Sequence, residues 1–125
     1  MIIDTNALSA FVDGDSEVGA ILALQHRAAI PAIVLGEFRY GILDSRHRKI
    51  YEEWLHANLR HFDLLAITAE TTTPYAALRA ALKRTGRPIP ANDAWIAALA
   101  IQHRMPILSQ DEHFDALAEV ERIGW

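Results

Sequence analysis

The chain contains no cysteine. Disulfide bonds, thiolate metal ligands and cysteine nucleophiles are therefore excluded. The absence is compatible with a reducing compartment, and we expect the protein to be cytoplasmic. Long apolar runs are also missing: the longest, Ala94–Ile101, is far shorter than the roughly 20 residues that a membrane helix needs. Met1 leads directly into Ile2-Ile3-Asp4 without a basic segment, so we expect neither a secretory signal nor a membrane association.

Positive charge is scarce, because the formal net charge is −4. Taken alone, this argues against a nucleic-acid partner, since phosphate binding depends on Lys and Arg. However, all of the twelve basic residues except Lys49 and Lys83 are arginine, which binds phosphate bidentately. The basic clusters at 46–49 and 83–87 also fit solvated helix ends, so charge leaves the partner undecided.

The apolar pattern alternates between strand-like and helix-like segments over 125 residues, a length typical of one domain. This alternation predicts an α/β fold with a central parallel sheet of four to five strands flanked by helices, in one domain over 1–125. The predicted strands are 1–4, 29–32, 62–67, 106–109 and an edge strand at 120–124. The predicted helices are 5–11, 16–27, 33–43, 46–61, 68–86 and 92–103.

The start of the helix over 68–86 has two interpretations. Thr68 is a suitable N-cap, although Thr71 stands where a capping box usually has Glu. Pro74 lies inside the segment, and a start at Thr73-Pro74 is therefore the alternative.

Four acidic residues fall near one edge of the predicted sheet. Asp4 ends the first strand, and Glu37 lies one turn into the helix after the second. Asp93 opens the helix before the fourth strand, and Asp111 follows that strand. Each residue singly also fits a cap, a turn or a surface helix position. Together they lie where open parallel sheets bind ligands, outside the carboxyl ends of the strands.

The segments around Glu37 and Asp93 are apolar almost all round, as in buried helices. Buried acids are costly unless they are paired or bind a metal, and converging carboxylates repel one another. Ligation by carboxylate oxygens alone favours Mg²⁺ or Mn²⁺ over Zn²⁺. Such a centre can hydrolyse a phosphodiester without a protein nucleophile, and one acid can act as a general base.

Four motifs in this order and spacing resemble the PIN domain, in its VapC toxin branch. They are Ile2-Ile3-Asp4-Thr5-Asn6 with Leu8-Ser9, and the stretches 36–41, 87–98 and 107–114. The resemblance implies that Asp4, Glu37, Asp93 and Asp111 form an acidic pocket that binds the metal. It also implies that Thr5 or Asn6, together with Ser109, orient those carboxylates through hydrogen bonds.

The resemblance further implies an activity and partners. The activity is metal-dependent endoribonuclease action, usually on tRNA or rRNA, by the toxin of a toxin–antitoxin pair. The implied partners are a small antitoxin, whose tail typically covers the site, and a second copy in a homodimer. The chain departs from the family pattern at Ala32, where a small hydroxyl residue is common, and at Ser109, where Thr is usual.

Further residues carry weaker expectations. Arg39 and Arg87 could hold phosphate, because a net-acidic chain needs local positive charge at a nucleic-acid site. His113 could contact substrate, although a surface histidine is the favoured interpretation. Asp115 is either an additional acid of the pocket or a cap or turn residue.

Other protein classes fit the sequence less well. A receiver domain needs an acidic pair after the first strand and a late lysine, and a haloacid-dehalogenase phosphatase needs Asp where Asn6 stands. Two alternatives stay open: a PIN domain with weak nuclease activity that acts mainly as a binding partner, and a PIN nuclease that acts on another nucleic acid.

Overall fold

The computed structural model describes all 125 residues, Met1 to Trp125, as alternating strands and helices. The strands are β1 (Ile2–Ile3), β2 (Ala29–Pro31), β3 (Asp63–Leu65), β4 (Ile107–Leu108) and β5 (Arg122–Ile123). The helices are α1 (Thr5–Val12), α2 (Ser16–Ala23), α3 (Ala32–Ile42), α4 (Arg48–Asn58), α5 (Ala69–Thr85) and α6 (Ala91–His103). Two 3₁₀ turns cover Leu59–His61 and Glu112–Ala116. No helix combines the length and apolarity needed to cross a membrane.

All five strands form one parallel sheet in the order β3-β2-β1-β4-β5. Ile2 lies opposite Ala29 of β2 and Ile107 of β4, so β1 is the central strand. The chain first adds strands on one side of β1 and then on the other, and the order reverses between β1 and β4. Such a reversal opens a crevice at the carboxyl ends of the strands. The predicted α/β fold with four to five parallel strands is confirmed.

The core lies on both faces of the central strands. Ile2, Ile3, Ile107 and Leu108 are fully buried, as expected for parallel strands that are covered by helices on both sides. Helix α6 is buried from Ala94 to Ala100 except at Trp95, and it packs along α5. The predicted burial of α6 is therefore correct. The start of this helix lies beside the ends of β1 and β4.

Helix α3 corrects one expectation, because only one of its faces is buried. Val34, Phe38 and Ile42, spaced by four residues, point into the core. Tyr40 and Leu43 are 75% and 50% exposed, respectively. An apolar composition predicted burial all round, but a helix on the outside of a single sheet packs through one stripe only.

The start of α5 decides between the two interpretations of 68–86. Thr68 is the N-cap and the helix begins at Ala69, so the alternative start at Thr73-Pro74 is wrong. The Thr71 hydroxyl accepts a hydrogen bond from the Thr68 backbone N–H at 3.0 Å, which replaces the Glu of a usual capping box. The helix ends at Gly86, whose φ of 66° favours glycine.

Candidate metal centre

Asp4 lies at the carboxyl end of β1 and is only 4% exposed. As the N-cap of α1, its carboxylate accepts a hydrogen bond from the Thr5 backbone N–H at 2.8 Å. It also accepts hydrogen bonds from the Ser109 hydroxyl at 2.6 Å and the Asn6 amide at 3.2 Å. Burial raises the pKa of Asp4, while the hydrogen bonds from Ser109 and Thr5 oppose that rise. The capping role suggested by the sequence is thus present, and it fixes the direction of the carboxylate.

Ser109 links the end of β4 to the end of β1. Its buried hydroxyl donates to Asp4 and accepts from the Asn6 amide at 3.1 Å and from the Asp111 backbone N–H at 2.9 Å. Asn6 in turn accepts a hydrogen bond from the Gln110 backbone N–H at 3.2 Å. These bonds cross the crevice where the strand order reverses, and they hold the two strand ends at a defined separation. The contacts are those expected of residues that orient the acids.

Asp93 lies in the first turn of α6, and its side chain is 14% exposed. Burial, together with the nearby charges of Asp111 and Asp4, raises the pKa of Asp93 to about 6. Asp111 follows β4 and caps the 3₁₀ turn after it, accepting from the His113 backbone N–H at 2.9 Å. Three of the four predicted acids therefore lie close enough to repel one another.

Glu37 reaches the group from the other side, through Thr5. The Thr5 hydroxyl donates to Glu37 Oε1 at 3.0 Å, and the Glu37 charge contributes to the raised pKa of Asp4. Glu37 also borders an open pocket of about 600 Å³ together with Tyr40 and Asn92. The fourth predicted acid is thus at the edge of the cluster and faces open space.

His113 lies closer to the acids than the sequence suggested. Its ring Nδ1 is 2.9 Å from Asp111 Oδ1 and 3.3 Å from Asp93 Oδ2. The charge of Asp111 raises the pKa of His113 above its usual value, and hydrogen bonds to both acids add to the rise. The sequence analysis treated His113 only as a possible substrate contact. The spacing of Asp111 and His113, which a single tight turn brings together, is the sequence signal for this contact.

The remaining candidates are divided by the structure. Arg87 borders an open pocket of about 460 Å³ together with Asp111 and His113. Arg39 is exposed and follows Glu37 by two residues, which places it about 200° around the helix axis. The fold brings Arg87, but not Arg39, to the acidic group.

Asp115 forms an ion pair with Arg122 at the edge of the pocket that Asp111 also borders. Both of its carboxylate oxygens accept hydrogen bonds from the Arg122 guanidinium at 2.8 Å, which holds the pKa of Asp115 below its usual value. Arg122 also donates to the backbone carbonyl of Ser109 at 3.2 Å. Asp115, which the sequence left open as an additional acid or as a cap or turn residue, is therefore half of an ion pair with Arg122, a residue that the sequence did not indicate.

The side chains present fit a hard divalent cation. Buried or half-buried carboxylates that repel one another gain the most from a bound cation, and the pKa of Asp93 is raised first by burial and then by the charges of Asp111 and Asp4. The residues that could hold the ion are Asp4, Glu37, Asp93 and Asp111. The donors are mainly carboxylate oxygens, which suits Mg²⁺ and Mn²⁺. The Asp93, Asp111 and His113 donor atoms all lie within 4.8 Å of one another.

Comparisons with known proteins agree with this fold. Ribonuclease VapC5 of Mycobacterium tuberculosis is 29% identical over 118 residues, which cover 93% of this chain and 86% of that protein. A crystal structure of VapBC-5, of the VapBC family of toxin-antitoxin systems of that organism, aligns with a TM-score of 0.78 and 29% identity, covering 99% of this chain and 97% of that chain. VapBC2 from Rickettsia felis, bound to a DNA fragment from its promoter, has the same fold, with a TM-score of 0.88, 24% identity and coverage of 99% and 97%.

The family model of the PIN domain matches residues 1–120, nearly the entire chain. This match includes the strand ends that carry Asp4 and Asp111 and the helices that carry Glu37 and Asp93. The protein therefore belongs to the PIN domain family.

Proposed function

We propose that this chain is a metal-dependent endoribonuclease that hydrolyses RNA phosphodiester bonds, and that it is the toxin of a toxin–antitoxin pair. The observation that carries the proposal is the convergence of Asp4, Asp93 and Asp111, with Glu37 beside them, at the crevice between β1 and β4. The ribonuclease name of a relative that aligns with 93% of the chain supports the activity. The proposed nuclease domain is the whole of 1–125.

The proposed cofactor is Mg²⁺ or Mn²⁺, held by Asp4, Glu37, Asp93 and Asp111. When bound, such an ion neutralises charge at the scissile phosphate and makes water a better nucleophile. The site needs no protein nucleophile, because a bound ion would activate water for the attack. RNA in the form of tRNA or rRNA is the substrate that we propose on the basis of the family resemblance.

The chain's own residues supply orientation and proton transfer. Asp4 is held in one direction by Ser109, Asn6 and the N-terminus of α1. Glu37 receives a hydrogen bond from Thr5 on Oε1 only, which leaves Oε2 free at the open side of the cluster. We assign Glu37 Oε2 as the general base that takes a proton from the attacking water.

Phosphate binding requires local positive charge in a chain of net charge −4. Arg87 borders the same pocket as Asp111 and is exposed, so it can reach an RNA phosphate next to the scissile one. Arg39, on the other side of α3, would contact RNA only beyond the cluster. His113 borders the same pocket and is also proposed as a possible substrate contact.

The proposed protein partners are a cognate antitoxin and a second copy of the chain. Three exposed apolar side chains, Tyr40 on α3, Leu43 just after it and Ile50 on α4, offer a surface that such a partner would cover. The VapBC-5 complex, a toxin–antitoxin system, supports the antitoxin. Light scattering of the purified chain, alone and with the co-expressed partner, would measure both associations.

The activity is tested by RNA cleavage with protein purified free of any antitoxin. Total tRNA, rRNA and single-stranded DNA are incubated with wild type and Asp93→Asn, each in Mn²⁺, Mg²⁺ or EDTA. We expect discrete RNA fragments from wild type with either metal and none with EDTA or with Asp93→Asn. Equal cutting by Asp93→Asn would refute the site, and cutting of DNA alone would refute the RNA substrate. Metal binding without any cutting would favour the binding-partner alternative.

A further inference from the structure

His113 is held within the acidic cluster by contacts of both its backbone and its imidazole ring. Its backbone N–H and its ring Nδ1 both lie 2.9 Å from the same oxygen, Asp111 Oδ1. The ring nitrogen is also 3.3 Å from Asp93 Oδ2. The short 3₁₀ turn that begins at Glu112 fixes the backbone from which the ring projects. The nitrogen therefore faces two acids that we propose as metal ligands.

These separations match those of neighbouring ligands around one octahedral ion. With metal–ligand bonds of about 2.1 Å, adjacent donor atoms are about 3.0 Å apart. Nδ1 lies 2.9 Å from Asp111 Oδ1 and 3.3 Å from Asp93 Oδ2, so an ion can contact all three atoms with little rearrangement. The His113 side chain is 52% exposed, and a cation bound at Nδ1 would replace the proton that Nδ1 shares with the two acids, with Nε2 keeping its own proton.

We propose that His113 Nδ1 is a ligand of the catalytic cation, beside Asp93 and Asp111, and that this nitrogen makes the centre prefer Mn²⁺ to Mg²⁺. Both ions suit carboxylate oxygens, but Mn²⁺ is a transition metal that also accepts an imidazole nitrogen, whereas Mg²⁺ is a hard ion that takes oxygen ligands. The sequence analysis predicted ligation by oxygen alone, and the structure adds one nitrogen to that set. This inference rests on the proposed metal centre.

The test is pulsed electron paramagnetic resonance of Mn²⁺ bound to the full chain, combined with calorimetric titration of Mn²⁺ and Mg²⁺. The variants are His113→Ala, Asp93→Asn and, as a matched control, His56→Ala on the exposed face of α4. Wild-type protein labelled with ¹⁵N-histidine identifies the source of any nitrogen coupling. Circular dichroism and a melting curve establish that each variant is folded.

We expect directly bound imidazole nitrogen in the Mn²⁺ spectrum of wild type and of His56→Ala, and its loss in His113→Ala. His113→Ala should weaken Mn²⁺ binding by about tenfold or more and leave Mg²⁺ binding nearly unchanged. Absence of nitrogen coupling in wild type, or equal effects of His113→Ala on both metals, would overturn the inference.

Two results separate this inference from the metal centre itself. If Mn²⁺ binds to wild type, is lost in Asp93→Asn and is unaffected by His113→Ala, then only the role of His113 fails. If wild type binds no Mn²⁺, the proposed metal centre fails and the inference fails with it.

Discussion

Ser109 is a single side chain on which the geometry of the cluster depends. Its hydroxyl contacts Asp4, Asn6 and the Asp111 backbone N–H, and it is fully buried. Without the Ser109 hydroxyl, each of these groups would be buried without that hydrogen-bond partner, at a cost of about 1–3 kcal/mol. The resemblance to the family implies Thr at this position, and Ser109 keeps its hydroxyl. One oxygen thereby bonds to groups at the ends of both β1 and β4.

Replacing Ser109 should reduce both stability and activity. We expect Ser109→Ala to lower the free energy of unfolding by about 1–3 kcal/mol and to slow RNA cleavage by about 10–100-fold. Urea unfolding and single-turnover cleavage measure the two effects. Ser109→Thr, which keeps the hydroxyl, should retain most of the activity. Wild-type cleavage by Ser109→Ala would show that this hydroxyl does not orient the acids.

Asp93 gives the metal-free protein a characteristic pH dependence. Its pKa of about 6 lies above the usual 3.8, so the folded state binds the proton more tightly than the unfolded state. The stabilisation is complete below about pH 4 and is lost as the pH rises to about 6 and beyond. In EDTA at pH 8, Asp93→Asn should therefore be more stable than wild type, by about 1–3 kcal/mol.

Melting curves between pH 4 and pH 8 in EDTA measure this difference, with and without added Mn²⁺. The advantage of Asp93→Asn should vanish near pH 4, where the wild-type carboxyl is protonated. Added Mn²⁺ should stabilise wild type at pH 8 and leave Asp93→Asn unchanged. A variant less stable than wild type at pH 8 in EDTA would contradict the proposed repulsion among the acids.

At the scale of elements, the helix N-termini and strand ends create the site. Asp4 caps α1, Asp111 caps a 3₁₀ turn, and Asp93 stands in the first turn of α6. Backbone N–H groups at these ends favour negative charge, so each acid has a local structural role as well as a place in the cluster. The capping and catalytic interpretations of these residues are compatible.

The joint between α5 and α6 shows how an element is positioned away from the site. Thr71 is fully buried, accepts from the Thr68 N–H and donates to Gln102 Oε1 at 2.6 Å. This contact ties the start of α5 to the end of α6, and α6 carries Asp93 at its other end. The tie is expected to affect stability and not the chemistry.

Thr71→Val keeps the shape of the side chain and removes its hydroxyl. We expect a loss of about 1–3 kcal/mol in the free energy of unfolding, because the partly buried Gln102 oxygen loses its donor and the Thr68 N–H loses its acceptor. RNA cleavage well below the melting temperature should stay near the wild-type rate. Thr73→Val, on an exposed position of the same helix, is the matched control and should change neither quantity. A large loss of activity in folded Thr71→Val would show that α5 communicates with the site.

The sequence predicted these elements to different extents. The order of strands and helices followed from apolar periodicity, and the proximity of Asp4, Asp93 and Asp111 followed from their places at strand ends and at the start of a helix. The exposure of Tyr40 did not follow, because composition does not reveal which stripe of α3 faces the sheet. The Asp111–His113 contact and the Asp115–Arg122 pair were also missed, since both depend on the local path of a turn. Periodicity identifies an element, and side-chain pairing across a turn requires coordinates.

For the whole molecule, topology explains how the proposed nuclease site forms in a small acidic protein. The strand order reverses beside β1, so Asp4 and Asp111 from distant parts of the chain meet at one crevice. Arg87 lies at the rim of the neighbouring pocket, and the other acids of that pocket include Asp115, which is neutralised by Arg122. Part of the net charge of −4 thus comes from the acidic cluster, and a bound cation would offset the negative charge of that cluster.

The most direct test of this account is the rate of RNA cleavage as a function of Mn²⁺ concentration. It is measured for wild type, for Asp93→Asn and for Asp115→Asn, whose acid borders the same region but is paired with Arg122. The account predicts that wild type and Asp115→Asn reach similar saturating rates, over the Mn²⁺ range that also stabilises the protein against melting. Asp93→Asn should not cut at any concentration. Cleavage that is independent of Mn²⁺, or that persists in Asp93→Asn, would contradict the assignment of the acidic cluster as the metal centre.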